Sequence, residues 1–319
     1  MIHIFCENDK YLMLKVLILG ASGFIGKHLA AALAEKEVIS LTVFGQNLDF
    51  SFDKNIRYVP GDFTNSENLK EALENQDIVY HLISQTIPSS SWNNPILEIE
   101  KNLTPSLKFI ELAAKSGVKK ICFASSGGTI YGLQQNLLTE ENLTEPFSPH
   151  GIIKRSIESF LQYARVKYQI NYDIYRISNA YGEGQNVGKG IGFINTALEN
   201  IVNNRPVLVY GNGENVRDYI YVKDIAKLLM LSIFKPLEDS EIYNVSSNHA
   251  INLNDLITLI KEVTKINFEI SYLPSRPSDN RKTILDNSRI MKNFGNTTLV
   301  SLEDGIKNTY AYLKNKNVY

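Results

Sequence analysis

Leu14-Lys-Val-Leu-Ile-Leu-Gly-Ala-Ser-Gly-Phe-Ile-Gly26 is an apolar run that ends in three glycines and opens into a helical pattern. Residues 15–19 read as a buried parallel strand, and residues 24–35 carry apolar side chains at helical spacing, so Gly20, Gly23 and Gly26 stand at a strand-to-helix turn. A dinucleotide site requires that context. Gly20 allows the sharp bend, Gly23 lets a pyrophosphate approach the backbone, and Gly26 lets the helix pack close to the strand, while the free N–H groups of the helix start face the phosphates. A glycine triplet alone carries little weight; the strand before it and the helix after it supply the rest.

Strand and helix patterns then alternate. Residues 38–44, 56–59, 77–83, 120–124 and 172–177 read as further strands, with helices over 68–73, 95–116 and 149–168. This predicts an α/β fold: a Rossmann-type doubly wound parallel sheet over residues 1–178, and a smaller C-terminal α/β substrate domain over 179–319. Residues 219–247 are expected to pack back onto the first domain. The polar stretch 85–94 reads as a loop over the cofactor.

In 319 residues, 44% are apolar and 21% charged, enough to bury a sizeable core, so a disordered chain is excluded. The net charge of −1 and the absence of a basic run argue against nucleic acid or an acidic membrane as partner. Cys6 and Cys122 lie far apart and read as free thiols, consistent with a reducing cytoplasm. No run approaches the ~20 apolar residues of a spanning helix, and the N-terminus lacks the pattern of a signal peptide. Met13 would serve as a start as well as Met1. No metal site is indicated.

Single residues are weaker signals. Phe44-Gly-Gln-Asn-Leu48 offers neither the acidic residue that holds a ribose nor a basic one for a 2′-phosphate, which leaves NAD and NADP both open. Asp62 after the third strand reads equally as an adenine contact or a turn residue. His81, in an apolar run, reads as a packed core histidine. Ser148 reads as an N-cap with Pro149 as the first helical residue, and His150 and Lys154, four apart, share one helix face.

Taken together these residues resemble the extended short-chain dehydrogenase/reductases, in the branch of NAD-dependent nucleotide-sugar epimerases and dehydratases. The resemblance runs from Leu14 onward and rests on the glycine turn, Gly61-Asp62, His81-Leu-Ile-Ser84, Asn102, Ser125-Ser-Gly-Gly-Thr-Ile-Tyr-Gly132, Lys154, Arg176-Ile-Ser-Asn179, Tyr181-Gly182, Arg217-Asp-Tyr-Ile-Tyr-Val-Lys-Asp224, and Arg276 with Asp279. It implies cofactor contacts at Gly20, Ser22, Gly23, Phe24, Ile25, Gly26, Asp62, Phe63, Leu82, Ser84 and Asn102, with Asp62 on adenine and Lys154 on the nicotinamide ribose. It also implies that Asn179, Arg217, Tyr219, Arg276 and Asp279 hold a nucleotide-diphosphate sugar. Guanidinium groups suit that role through paired bonds to phosphate; for Arg276 a solvated surface charge is a fair rival. The helices 95–116 and 149–168 resemble those that pair in the family's homodimers.

The family's catalytic tyrosine, four residues before the lysine, falls here on His150, and its serine or threonine falls on Gly127; Thr129 is the nearest hydroxyl and Ser126 adjoins the vacancy. An imidazole with an ordinary pKa of ~6.5 needs no help to act as a base near neutral pH. Lys154, an oxidised nicotinamide and the helix start are all positive, which predicts a neutral His150 ready to accept a proton. These residues predict a nucleotide-sugar 4-epimerase. The alternatives are an NAD(P)H-dependent 4-keto-6-deoxy nucleotide-sugar reductase and a catalytically silent nucleotide-sugar-binding homologue.

Overall fold

The computed structural model describes residues 13–46, 56–86, 88–134, 136–187, 192–275, 282–295 and 297–316. Cys6, the choice between Met1 and Met13, and the Asn47-Leu48 end of the second strand's loop lie outside the described residues.

Seven parallel strands form the central sheet. In spatial order they are Glu241–Val245, Asn171–Ile177, Lys120–Ser126, Ile78–His81, Leu14–Leu19, Ile39–Gly45 and Arg57–Pro60. The first strand is apolar without alternation because helices cover both its faces: Val16 and Ile18 enter one core cluster, Leu17 and Leu19 the other. The chain leaves this strand toward one edge, then returns to build the other half from Ile78–His81, which pairs with it so that Leu19 stands opposite His81. That reversal opens a crevice at the carboxyl ends of the two strands, where doubly wound sheets bind ligands.

Beyond Ile177 the chain builds a second layer. Val216–Tyr221 is flanked by Asn179–Tyr181, Ala250–Asn252 and Lys282–Leu285, and Leu198, Ile201, Leu256, Ile260 and Ile306 form a separate core beneath it. The helix Val222–Met230 packs on Phe24–Ala34 through Ile225, Leu228 and Leu229 against Leu29 and Leu33. The strand Glu241–Val245 closes the edge of the main sheet.

The structure departs from the sequence pattern in three places. Residues 95–116 are not one helix: Pro95–Glu98 is α-helical, Ile99–Leu103 is a π turn, and Thr104–Lys115 is α-helical again. Pro105 has no N–H to give to the carbonyl of Lys101, and the amide of Thr104 bonds back to Ile99, so the ladder widens by one residue there. The stretch read as a loop over 85–94 contains the helix Pro88–Asn93, opened by a proline whose φ is already helical. The strand read over 120–124 continues to Ser126 and gives way to a short helix, Gly127–Ile130.

Candidate active site

The glycine turn does what its spacing implies. Gly20 has φ +90°, and a Cβ on Gly26 would collide with the Gly20 carbonyl and stand 2.9 Å from the Cα of Ala21, so only glycine permits this approach of helix to strand. No side chain caps the helix Phe24–Ala34 at Gly23 and no acidic residue occupies its first turn, which leaves its N–H groups free for phosphate. A cleft of about 370 Å³ opens before them, lined by Gly20, Ser22, Gly23, Phe63, Leu82 and Ser84 among others. Phe24 and Ile25 sit half-buried in the first helical turn rather than on the cleft wall. Asp62 is held as a turn residue: one carboxylate oxygen accepts from the amide and hydroxyl of Thr64 at 2.8 Å each, the other from Gln46 at 3.1 Å. The Thr64 bonds hold its carboxyl below the ordinary range, and Gln46, on the cleft wall, is turned toward it.

His81 is a core residue. Its Nε2 meets the Ser106 hydroxyl at 2.8 Å, the rings of Phe63, Phe109 and Phe123 surround it, and burial pushes its pKa down to about 3. It stays neutral at any working pH.

The helix Pro149–Tyr168 brings His150 and Lys154 to one place. Ser148 caps it, its hydroxyl accepting from the Gly151 amide at 3.2 Å. Both side chains line a small cavity with Glu98, Asn102, Ile83 and Ser84; Ile83 and Ser84 also line the dinucleotide cleft, so the two spaces adjoin. Lys154 donates to the Ala124 carbonyl at 2.8 Å and lies 4.8 Å from the Phe123 ring centre. Burial pushes its pKa down to about 8, against the opposing pull of the Glu98 and Glu158 carboxylates.

Glu98, which the sequence reading missed, corrects the picture of a His150 with only positive neighbours. Its carboxylate is 1% exposed, with Oε1 3.4 Å from His150 Nδ1. Burial pushes its carboxyl up, but hydrogen bonds from His150, Thr86 and Asn102 outweigh that and bring it down to about 2. Asn102 serves this arrangement: its Nδ2 donates to Glu98 and Thr86 at 2.6 Å each, and its Oδ1 accepts from the Gln85 amide at 2.9 Å. The only sequence signal was an acidic residue four before Asn102 on one helical face.

The vacancy at Gly127 is filled. A Cβ there would overlap the Cδ1 methyl of Leu285 and come within 3.0 Å of the Arg176 carbonyl oxygen. The family hydroxyl therefore has no room at 127, whereas the Thr129 hydroxyl is buried with no hydrogen-bond partner among the described residues. The Thr129 carbonyl lies against Gly151, next to His150, which sets the Thr129 turn on the start of the His150 helix. Ser126 is half-buried and precedes that turn without capping it.

A second pocket of about 300 Å³ gathers Asn179, Arg217 and Tyr219 with Tyr210, Asn215 and Leu208. Asn179 is fixed by donating to the Asp218 carbonyl at 2.9 Å. Arg217 donates to the Val216 carbonyl at 3.0 Å, and burial pushes the Tyr219 phenol up to about 12, with Arg217 opposing. Arg276 and Asp279 lie outside the described residues. Arg176 is structural: its guanidinium pairs with both oxygens of buried Glu158 at 3.2 and 2.9 Å and donates to the Tyr131 hydroxyl at 2.9 Å.

Known proteins share this layout. The profile of the NAD dependent epimerase/dehydratase family matches residues 16–246. A dTDP-4-dehydro-6-deoxyglucose reductase of Escherichia coli is 30% identical over 301 residues, which are 91% of this chain and 95% of that protein. The structure of UDP-glucose 4-epimerase with UDP-glucose from Thermotoga maritima is similar with a TM-score of 0.88 and 30% identity, over 96% of this chain and 100% of that one. The UDP-glucose 4-epimerase of Thermus thermophilus, in complex with NAD, gives a TM-score of 0.86 and 26% identity over 94% and 99% of the two chains. With the family profile spanning the whole main sheet and a glycine cleft suited to a dinucleotide, the chain belongs to the NAD-dependent epimerase/dehydratase family, with NAD as its cofactor.

Proposed function

We propose that this protein is a nucleotide-sugar 4-epimerase that uses His150 where its family uses tyrosine. One observation supports the reading: His150 and Lys154 line one small space of about 10 Å³ that shares Ile83 and Ser84 with the wall of the dinucleotide cleft. The glycine turn at Gly20, Ser22 and Gly23 would hold NAD, which would supply the acceptor and then the donor of the C4 hydride. His150 takes the proton of the C4 hydroxyl and gives it back after the ketone has turned, so the reaction consumes nothing. Lys154 holds the ribose side and adds positive charge near the developing alkoxide. Thr129, whose buried hydroxyl has no hydrogen-bond partner among the described residues, is assigned the task of holding the sugar oxygen and extending the reach of the shorter imidazole. Arg217, Asn179 and Tyr219 hold the nucleotide diphosphate in the second pocket, and Arg276 and Asp279 are assigned to the same task from sequence alone.

The test is incubation of the purified protein with UDP- and dTDP-hexoses. Turnover that disappears in His150→Ala supports the reading, and turnover unchanged in that variant overturns it.

A second reading has its own support. The Escherichia coli relative at 30% identity is a reductase of a 4-keto-6-deoxy nucleotide sugar. A reductase would consume added NAD(P)H stoichiometrically, whereas the epimerase shows no net consumption. A homodimer is also proposed: Ile152, Phe160, Tyr163 and Val166 form an exposed apolar stripe on the helix Pro149–Tyr168, beside exposed Ile96 and Ile99. Among the described residues, no helix is long and apolar enough to cross a membrane.

A further inference from the structure

We infer that Glu98 is a positioning residue for His150, fixing the imidazole with its proton on Nδ1 so that Nε2 is the nitrogen that exchanges a proton with substrate. The inference deepens the epimerase reading and rests on it for its kinetic consequences.

The geometry leaves the carboxylate one role. Glu98 Oε1 accepts from the Thr86 hydroxyl at 2.6 Å, and Oε2 accepts from Asn102 Nδ2 at 2.6 Å. An ionised carboxylate has no proton to give, so a bond to His150 Nδ1 at 3.4 Å requires the hydrogen to be on the ring nitrogen. In the neutral ring the other nitrogen is then bare and basic. At 3.4 Å the contact is longer than the usual limit of about 3.2 Å for such bonds, so it orients the ring as a long, charge-assisted contact.

The carboxylate itself cannot move to compromise. Thr86 lies in the loop after the strand Ile78–His81, and Asn102 sits in the π turn, so two separate segments clamp Glu98 from either side. Asn102 also ties that loop by accepting from the Gln85 amide. The π turn thus has a use: it falls between the helix end that carries Glu98 and the long helix that follows, and puts Asn102 back on the carboxylate. The other charged group lining the cavity is Lys154, whose ammonium is engaged by the Ala124 carbonyl.

A tyrosine has one oxygen, which serves as donor or acceptor by turns. An imidazole has two nitrogens and the wrong tautomer presents an N–H to the substrate hydroxyl, which blocks proton acceptance. Substituting histidine for tyrosine therefore creates a need for an orienting acceptor, and Glu98 supplies it.

The test combines nitrogen-15 NMR of the histidine rings with kinetics. The chain has five histidines, and His150→Gln assigns the signal by its loss. In the wild type the His150 ring is expected to carry its proton on Nδ1. In Glu98→Leu, which removes the acceptor, the Nδ1–H form should lose its dominance, with kcat lowered at least about tenfold and KM changed by less than about threefold. A variant that merely loosened the fold would lower stability or raise KM and leave the tautomer alone. A neutral wild-type ring protonated on Nε2 overturns the inference without any variant, as does a Glu98→Leu enzyme with unchanged tautomer and kcat. An Nδ1–H ring in a protein that turns over no nucleotide sugar would uphold the Glu98 assignment and sink the epimerase reading instead.

Discussion

The side chain of Leu285 occupies the space into which a Cβ on Gly127 would project. Leu285 is fully buried with Ile130, Tyr131 and Leu138 in a small cluster under the Thr129 turn. Gly127→Ser is therefore expected to destabilise the protein by about 1–3 kcal/mol through overpacking, and to leave turnover no higher. Pairing it with Leu285→Ala should recover part of that loss. Urea unfolding of the two single variants and the double variant checks it.

Lys154 titrates where activity can report it. Its folded pKa of about 8 lies below the unfolded lysine value, so the folded state disfavours the ammonium. The cost is fully present below pH 8 and disappears as pH rises through the unfolded value of about 10.4. Wild-type stability should therefore gain from this group between about pH 8 and about pH 10, and Lys154→Met should lack that gain. Activity moves the other way, with kcat/KM falling above about pH 8 as the charge is lost. Unfolding curves and a pH–rate profile on the same two proteins would show the opposition.

The buried pair of Arg176 and Glu158 supports the site from below. Glu158 also accepts from the Ser125 hydroxyl at 2.6 Å, which ties the strand before the Thr129 turn to the helix of His150 and Lys154. Removing one partner leaves a buried charge unpaired, so Arg176→Met or Glu158→Gln should each cost about 3–5 kcal/mol. The double variant should cost less than the sum of the two, a non-additivity that denaturant titration resolves.

The apolar stripe on the helix Pro149–Tyr168 predicts its own cover. Val166 is 86% exposed, more than any other large apolar side chain described. If two copies meet there, Phe160→Glu with Val166→Glu should convert a dimer to a monomer in light scattering, with the cofactor still bound. Elution of the unaltered protein as a monomer would refute the pairing.

Much of the fold was legible because it follows from local rules. The run 14–26 determines a buried strand, a turn that only glycine can make and a bare helix start, all within a short stretch of chain, and the alternation that follows implies the parallel sheet. His150 and Lys154 were also legible as a pair, since four residues along a helix return to the same face. The short strands Asn179–Tyr181 and Lys282–Leu285 were not, because three or four residues carry no periodicity and their pairing partners lie far along the chain. Arg276 and Asp279 remain assignments of sequence alone.

What only the tertiary structure decided is the surroundings of His150 and Lys154. Glu98 and His150 are 52 residues apart, and Gly127 and Leu285 are separated by more than 150, so no spacing in the chain couples either pair. The sequence determined which chemical groups are available and on which element each rides. Whether an anion or a methyl group stands beside them depends on how the helices and the two sheets pack, since contact energies act through space and are blind to chain separation.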